Sequence, residues 1–543
     1  MAPEARGGLG PPGAQAPPKA SPEAPGPRRI TRFLAVVRAA AGGGVAYFAF
    51  PSWDVWPAAM AGLAMLYMAL EPLRSGLAYL ATFGFGAAMF LPLFRWADVA
   101  AGHAPWVILA LASAAILAVF GFAWSNIRRI GFIARHRVVA PIAFATAWAA
   151  IEELRQAWPF GGFPWGRVAF SQAGAPTANI AWLGGVPLLS WAVALAGALV
   201  ATVVIGAAKG RTWLGCAAAL GAFGIVLAPT LAPLDSRPQD GTLAIGAVQG
   251  NVPPEESAVR KVRERHVLAN HLAGTLALLN RVESGALDLV VWPEDSTDLD
   301  PAAHDDVANL VTRAAAAVGA PILLGSIEYP ESGGRYNVGL LWDPARGAID
   351  RYAKQRPAPF AEYIPLRSLA RLVTDKVDGV SVDMLPGSEV AVIDVPIERD
   401  NRIIPIGDII CFEVAYDSIV ADSVRAGAEL LVVQTNNSSF GQSAEPTQQL
   451  AMSRLRAIEF GRATIQISTT GVSAMISPTG VILSSTGTWT PAQLVATLPL
   501  RTSLSPAARF GREVGWCLLA LGTGLALVGI ASTATRRKKG LVN

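Results

Sequence analysis

Eight stretches of this chain are apolar enough, over enough length, to be read as bilayer-crossing helices, and their placement limits the fold more than any other feature. A helix needs roughly 20 apolar residues to cross the hydrocarbon. Seven candidates lie near 32–50, 55–72, 76–95, 104–124, 138–157, 186–207 and 212–233, and an eighth, near 514–534, follows a polar region spanning 240–505. Of the 543 residues 52% are hydrophobic and only 15% charged, which excludes an ordinary soluble protein. The expected architecture is a multi-span α-helical membrane domain of about eight transmembrane helices, seven of them in 31–235, with one large domain inserted before the last helix.

Residues 1–30 are rich in Pro, Ala and Gly with no apolar run, and are expected to be disordered. The first apolar run starts too late for a secretory signal, so it is expected to be a retained span. The basic residues then set the orientation. Arg28, Arg29 and Arg32 precede the first span, Arg74 follows the second, and Arg128, Arg129, Arg135 and Arg137 follow the fourth. Lys209 and Arg211 follow the sixth, and Arg536, Arg537, Lys538 and Lys539 begin the tail at 535–543. With eight spans all of these fall on one side, while the opposite loops carry little beyond Arg95 and Arg167. Lys and Arg favour the cytoplasmic side of a membrane. The tail is therefore expected to be cytoplasmic and the domain at 240–505 to lie on the outer, extracytoplasmic face of the membrane. The net charge of +4 is accounted for by these flanks, with no separate basic patch, so nucleic acid is not an expected partner. The three cysteines are Cys216, Cys411 and Cys517, the first and last inside apolar spans, and they offer neither a disulfide framework nor paired metal-ligand spacing.

Between the fifth and sixth spans runs Trp158-Pro-Phe-Gly-Gly-Phe163-Pro-Trp165-Gly-Arg167. Such a loop suits the membrane interface, as an aromatic belt or as part of a lipid site. Glu152 and Glu153, just before it, are costly near hydrocarbon without a partner or a role.

Inside the polar domain, apolar and β-branched runs at 287–292, 321–327, 338–342, 403–411, 430–434 and 464–468 read as strands, several buried on both faces. Helical patterns occupy 259–281, 302–318 and 446–460. The alternation indicates a layered α/β domain with chemistry at strand ends. Three residues there suggest covalent acyl chemistry. Cys411 closes an apolar strand, and a thiol made into a thiolate attacks an ester or amide carbonyl. Glu294, after Val-Val-Trp-Pro, could take its proton, and Lys354 could face the developing oxyanion together with a backbone N–H near Cys411. Singly, each has a plain alternative: a cysteine packed as a small hydrophobe, a loop carboxylate, a solvated lysine.

Further phrases accompany these three in order: Phe163-Pro-Trp165, Val-Gln249-Gly-Asn251-Val-Pro, Trp292-Pro-Glu294, Tyr-Asn337, Lys354, Pro359-Phe-Ala-Glu362-Tyr363-Ile-Pro365, Cys411-Phe412-Glu413 and Arg454-Leu-Arg456-Ala-Ile-Glu459-Phe-Gly-Arg462. With the seven-plus-one span layout, the chain resembles the apolipoprotein N-acyltransferase family, membrane-bound members of the nitrilase, or carbon–nitrogen hydrolase, superfamily. The resemblance implies an inserted nitrilase-like αββα sandwich. It also implies a triad of Glu294 as base, Lys354 as oxyanion stabiliser and Cys411 as nucleophile, with Glu362, Glu413 and Asn337 in support. Phe163, Trp165, Phe412 and Tyr363 are the expected substrate-binding residues. The implied reaction moves a fatty acyl chain from a membrane phospholipid, through a Cys411 thioester, to the N-terminal α-amine of a diacylglyceryl-modified lipoprotein, with no metal or soluble cofactor. The chain departs from the usual family pattern in the charged run 255–265 and in Asn437 and Ser439, where relatives often have Asp and Trp. A membrane-anchored amidase using the same triad with water, and a non-enzymatic sensing domain, are the alternatives.

Overall fold

The computed structural model describes residues 27–136, 138–252, 260–297 and 299–538. Most of the expected disordered segment, together with Arg137, Lys539 and residues 255–259 of the charged run, lies outside the described residues.

Helices stand at all eight predicted positions: Pro27–Tyr47, Pro57–Leu70, Ser75–Leu93, His103–Ile127, Val139–Ala157, Ile180–Ala208, Thr212–Leu227 and Pro506–Lys538. Their bounds differ from the expected ones in instructive ways. Residues 27–30, expected to be disordered, already belong to the first helix, and the last helix starts at Pro506 and carries the first basic residues of the tail. The sixth begins at Ile180 and breaks at Gly184 and Gly185, the latter at φ +73, just before Pro187. Five segments are long and apolar enough to cross a membrane: Ser75–Leu93, His103–Ile127, Pro176–Ala208, Thr212–Leu231 and Pro506–Arg536. The other three fall short for identifiable reasons. Pro27–Tyr47 carries four arginines, and Val139–Ala157 carries Glu152, Glu153 and Arg155. The 14 residues of Pro57–Leu70 reach about 21 Å at 1.5 Å per residue, less than the roughly 30 Å hydrocarbon.

The polar region folds into two six-stranded sheets. The first comprises β1 (Thr242–Gln249), β2 (Leu289–Val291), β3 (Ile322–Glu328), β4 (Tyr336–Asp343), β5 (Gly347–Ala353) and β12 (Ala492–Pro499), in the order β12-β1-β2-β3-β4-β5. The second comprises β6 (Val392–Ile397), β7 (Arg402–Ile410), β8 (Leu430–Thr435), β9 (Thr464–Ser468), β10 (Ala474–Ile476) and β11 (Ile482–Ser485), in the order β11-β10-β9-β8-β7-β6. Each sheet has a parallel trio, β1-β2-β3 or β7-β8-β9, extended by antiparallel strands. The trio strands alternate between two cores. Val290, Ile322 and Leu324 pack outward against Val307, Val311 and Leu268 of helices Asp305–Val318 and Arg260–Leu278, while Leu289, Val291 and Leu323 face the other sheet. Burial on both faces is why these strands read as unbroken apolar runs. Helices Asp417–Arg425 and Glu445–Phe460 cover the second sheet, completing an α-β-β-α sandwich.

The sandwich rests on the membrane helices through helix Glu445–Phe460. Trp165 Nε1 donates to Gln448 Oε1 at 2.7 Å, and the Val186 N–H freed by the break at Gly185 donates to Glu459 Oε1 at 3.3 Å. Arg167, fully buried, contacts Glu153 at 2.5 Å, Asp417 at 2.7 Å and Glu152 at 3.8 Å, and Asp417 also accepts from Arg456 at 2.8 Å. Glu152 and Glu153 thus find their partner in the aromatic loop that follows their helix. Removing one member of a buried ionic cluster costs about 3–5 kcal/mol, because the remaining charges lose compensation. Arg167→Met is therefore expected to loosen the sandwich from the membrane helices, read as faster proteolysis in the 158–172 loop and a lower unfolding temperature.

Candidate active site

Cys411 follows the last residue of β7 and opens a short 3₁₀ turn, Cys411–Ala415, at φ +54. A non-glycine residue in left-handed backbone is uncommon and needs surrounding structure to hold it. Glu413 does so. Its carboxylate accepts from the backbone N–H of Ile410 at 3.0 Å, Gln355 at 2.7 Å and Arg356 at 3.1 Å, and from the Tyr352 hydroxyl at 3.0 Å. Gln355 and Arg356 directly follow Lys354, so this one carboxylate ties the cysteine turn to the lysine turn. Burial pushes Glu413 up to about 7, against Lys354 and the donors that favour its charged form.

Glu294 stands three residues past the end of β2 and is 4% exposed. Its Oε1 accepts from Asn337 Nδ2 at 2.7 Å and Lys354 Nζ at 3.1 Å, and its Oε2 from the Asn436 N–H at 3.0 Å. Lys354 Nζ also donates to Glu362 Oε1 at 2.7 Å, and the Ala358 N–H holds Glu362 Oε2 at 2.6 Å. Burial opposes the Lys354 charge, but Glu294 and Glu362 outweigh it and hold the ammonium well above its usual range. The Cys411 thiol is pushed well up, first by burial and then by Glu294, with Lys354 and the Thr435 hydroxyl pulling the other way. The resting Cys411 is thus a thiol beside Glu294 and the Lys354 ammonium, an arrangement in which thiolate forms only as the proton is taken.

The structure brings Glu294, Lys354, Cys411, Glu362, Glu413 and Asn337 into one cluster. Phe412 stacks on Phe163, with ring centroids 5.7 Å apart, and on Trp165 at 5.9 Å, joining the cysteine turn to the membrane-domain loop. Trp165 is only 2% exposed and its indole N–H is taken by Gln448, so it packs as a wall rather than presenting an open face. Tyr363 is not part of this stack, and its carbonyl accepts from the Phe360 N–H at 2.8 Å. The exposed aromatic pair is instead Phe160 and Phe360, edge to face at 5.8 Å. Sequence reasoning missed that pair, and it missed Thr435 and Gln449, which reach the Cys411 sulfur at 3.5 and 3.8 Å. Phe160 could have been found from its place in the aromatic loop. Thr435 ends an ordinary buried strand and Gln449 sits inside a helix, and neither carries a local signal.

The fold and site define a carbon–nitrogen hydrolase-type sandwich built onto membrane helices. Residues 247–504 match the carbon–nitrogen hydrolase family and residues 42–199 the apolipoprotein N-acyltransferase N-terminal domain. The chain is 34% identical to an apolipoprotein N-acyltransferase of Mycolicibacterium smegmatis, over 93% of its own length and 88% of the relative's. It is 31% identical to one of Azotobacter vinelandii, over 92% and 97%. Among solved structures, a variant of the Nesterenkonia AN1 amidase from the nitrilase superfamily overlays 51% of this chain and 97% of its own at 17% identity and a TM-score of 0.37. The chain belongs to the apolipoprotein N-acyltransferase family.

Proposed function

We propose that this membrane enzyme transfers a fatty acyl chain from a phospholipid to the N-terminal α-amine of the diacylglyceryl-cysteine of an apolipoprotein, through a thioester on Cys411. The observation that carries the mechanism is the buried contact of Lys354 Nζ with both Glu294 and Glu362, beside a thiol whose turn is tied to the lysine by Glu413. In the first half-reaction Glu294 takes the thiol proton, sulfur bonds to the ester carbonyl carbon, and Lys354 with a backbone N–H of the cysteine turn faces the oxyanion. The ester C–O bond then breaks, and Glu294 passes the proton to the departing lysophospholipid oxygen. In the second, the α-amine, ordinarily titrating near about 8 and so partly neutral at pH 7, bonds to the carbonyl carbon. It gives a proton to Glu294, the C–S bond breaks, and that proton returns to sulfur.

The Phe412 stack on Phe163 and Trp165 supports lipid substrates, since it seats the reacting turn against the loop that leaves the membrane helices. The same reading takes all eight helices as spans, with the sandwich on the extracytoplasmic side. In its support, Arg135 and Arg536 flank Gly131, Arg128 donates to the carbonyls of Glu71 and Leu73, and Lys209 pairs with Glu71 at 3.5 Å. Basic residues that follow the fourth and sixth helices, or end the eighth, thereby meet at the end of the second helix or beside Gly131.

Mass spectrometry of the full chain incubated with phospholipid and no amine tests the first half-reaction. A fatty acyl mass on the Cys411 peptide, removed by hydroxylamine, is expected. Adding a diacylglyceryl-cysteinyl peptide is then expected to discharge the acyl group onto its amine. Release as free fatty acid, with no acylated peptide, would favour an amidase.

A further inference from the structure

Besides Glu294 and Lys354, two uncharged side chains address the Cys411 sulfur: Thr435 Oγ1 at 3.5 Å and Gln449 Nε2 at 3.8 Å. In the structure the Gln449 amide is turned with its nitrogen toward the sulfur. Its Oε1 accepts from Thr435 Oγ1 and from Asn437 Nδ2, each at 3.0 Å. Asn437 Nδ2 also donates to Glu445 Oε2 at 2.7 Å, and Asn437 Oδ1 accepts from Ser468 Oγ at 2.7 Å. Turning Gln449 over would set its NH2 group against that of Asn437. Thr435, Asn437, Glu445, Gln449 and Ser468 are all at most 3% exposed, so solvent does not relieve a wrong orientation. In this arrangement the chain of hydrogen bonds from Ser468 to Gln449 aims an N–H at the sulfur.

Thr435 has one hydroxyl proton and two neighbours that can accept it. In the resting thiol state the nearer acceptor, Gln449 Oε1, takes it; a charged sulfur draws the hydroxyl round. Charged acceptors bind donors about twice as strongly as neutral ones. A thioester sulfur, with no charge and no proton, makes little demand on either donor.

We propose that Thr435 and Gln449 form a thiolate pocket that receives negative charge on Cys411 Sγ twice in each cycle, when the thiol is deprotonated for attack and when the thioester C–S bond breaks and its electron pair returns to sulfur. Both are catalytic residues in that they touch a reacting atom. Their contribution is to states that precede and follow the acyl-enzyme, so it lowers barriers without stabilising the intermediate equally. The pocket is separate from the oxyanion site of Lys354 and rests on Cys411 being the nucleophile. The titratable groups around the sulfur are Glu294 and Glu445, whose negative charge opposes a thiolate, and Lys354, which favours it; burial pushes Glu445 up to about 8, and none of the three is altered in the test.

The test is the pH dependence of Cys411 alkylation by iodoacetamide in the detergent-solubilised full chain, followed on the Cys411 peptide by mass spectrometry. Gln449→Leu and Thr435→Val are each expected to slow alkylation at pH 7 by about tenfold and to move the profile to higher pH. Thr435→Ser, which keeps the hydroxyl, is expected to follow the unaltered chain. Unmoved profiles in both Gln449→Leu and Thr435→Val overturn the proposal, and so does a Thr435→Ser profile displaced as far as that of Thr435→Val. Should Gln449→Leu fail to fold, the Thr435→Val and Thr435→Ser pair decides alone. The same samples test the nucleophile separately: complete alkylation of Cys411 that leaves acyl transfer intact would remove the cysteine from the mechanism. Loss of transfer with unmoved profiles would remove only the pocket.

Discussion

Cys411→Ala is expected to eliminate acyl transfer while the chain folds and packs as before. Among the described residues the sulfur makes two long polar contacts, with Thr435 and Gln449, and the turn around it is held by the Glu413 carboxylate rather than by the thiol. Truncation to alanine leaves the left-handed backbone at 411 no more strained, since both residues carry a Cβ, and the expected stability change is about 1 kcal/mol or less. The rate is another matter. Without sulfur no acyl-enzyme forms, and direct attack of the amine on the phospholipid ester would need both lipids in the site at once. Loss of a nucleophile that forms the covalent intermediate lowers turnover by more than about 10³-fold. Transfer to a diacylglyceryl-cysteinyl peptide, together with the thermal unfolding midpoint, separates the two effects. An unchanged midpoint with no product is the expected pair of results. Retained transfer would place the nucleophile elsewhere.

What the sequence discloses here follows from burial and order along the chain. β3 and β8 stand out because both faces are covered, so Ile322, Leu323 and Leu324, like Leu430 to Val433, form unbroken apolar runs. β5, at one edge, reads Gly-Ala-Ile-Asp-Arg-Tyr-Ala and is half open to solvent, and β11 is largely exposed. Neither has an apolar run to betray it, and both were missed. Glu294 and Cys411 are visible because each stands just past a buried strand, where an otherwise apolar segment ends in one chemically able side chain, whereas Lys354 follows the half-open β5 and stands out only through its order between the other two. The left-handed turn at Cys411 is invisible, because it depends on a carboxylate two residues later finding donors that follow Lys354, 57 and 58 positions away. Gln449 is hidden in a different sense. An amide in a helix interior ordinarily faces solvent, and only the packing of that helix against β9 and the cysteine turn brings it to the sulfur. Among the helices, hydropathy located the positions but not the bounds. The sixth could not be placed correctly because its break at Gly184 and Gly185 is used to meet Glu459 of the other domain.

Lys354→Met is expected to be nearly as damaging as loss of the cysteine, for two reasons that act together. The ammonium is 1% exposed and contacts Glu294 at 3.1 Å and Glu362 at 2.7 Å. Without it, two buried carboxylates share a cavity with no counter-charge, a loss of about 3–5 kcal/mol if both stayed ionised. The site escapes most of that cost by binding a proton on one carboxyl. A protonated Glu294 cannot accept the thiol proton, so the base is lost along with the oxyanion's cation. An oxyanion donor is worth about 10²–10³ in rate and a positioned base about 10²–10⁴. Since the base is only partly disabled, the combined loss is expected to exceed about 10³-fold. Lys354→Arg separates charge from geometry. It keeps the cation, so the carboxylates stay compensated and the fold is retained. A planar guanidinium, however, offers its donors in a rigid fork where the site holds a compact ammonium between two carboxylates and the sulfur. Thioester formation from phospholipid, followed as acyl mass on the Cys411 peptide, is expected to be lost in Lys354→Arg as well. Appreciable thioester in Lys354→Arg would mean that charge alone suffices and that the point-like geometry of the lysine contributes little.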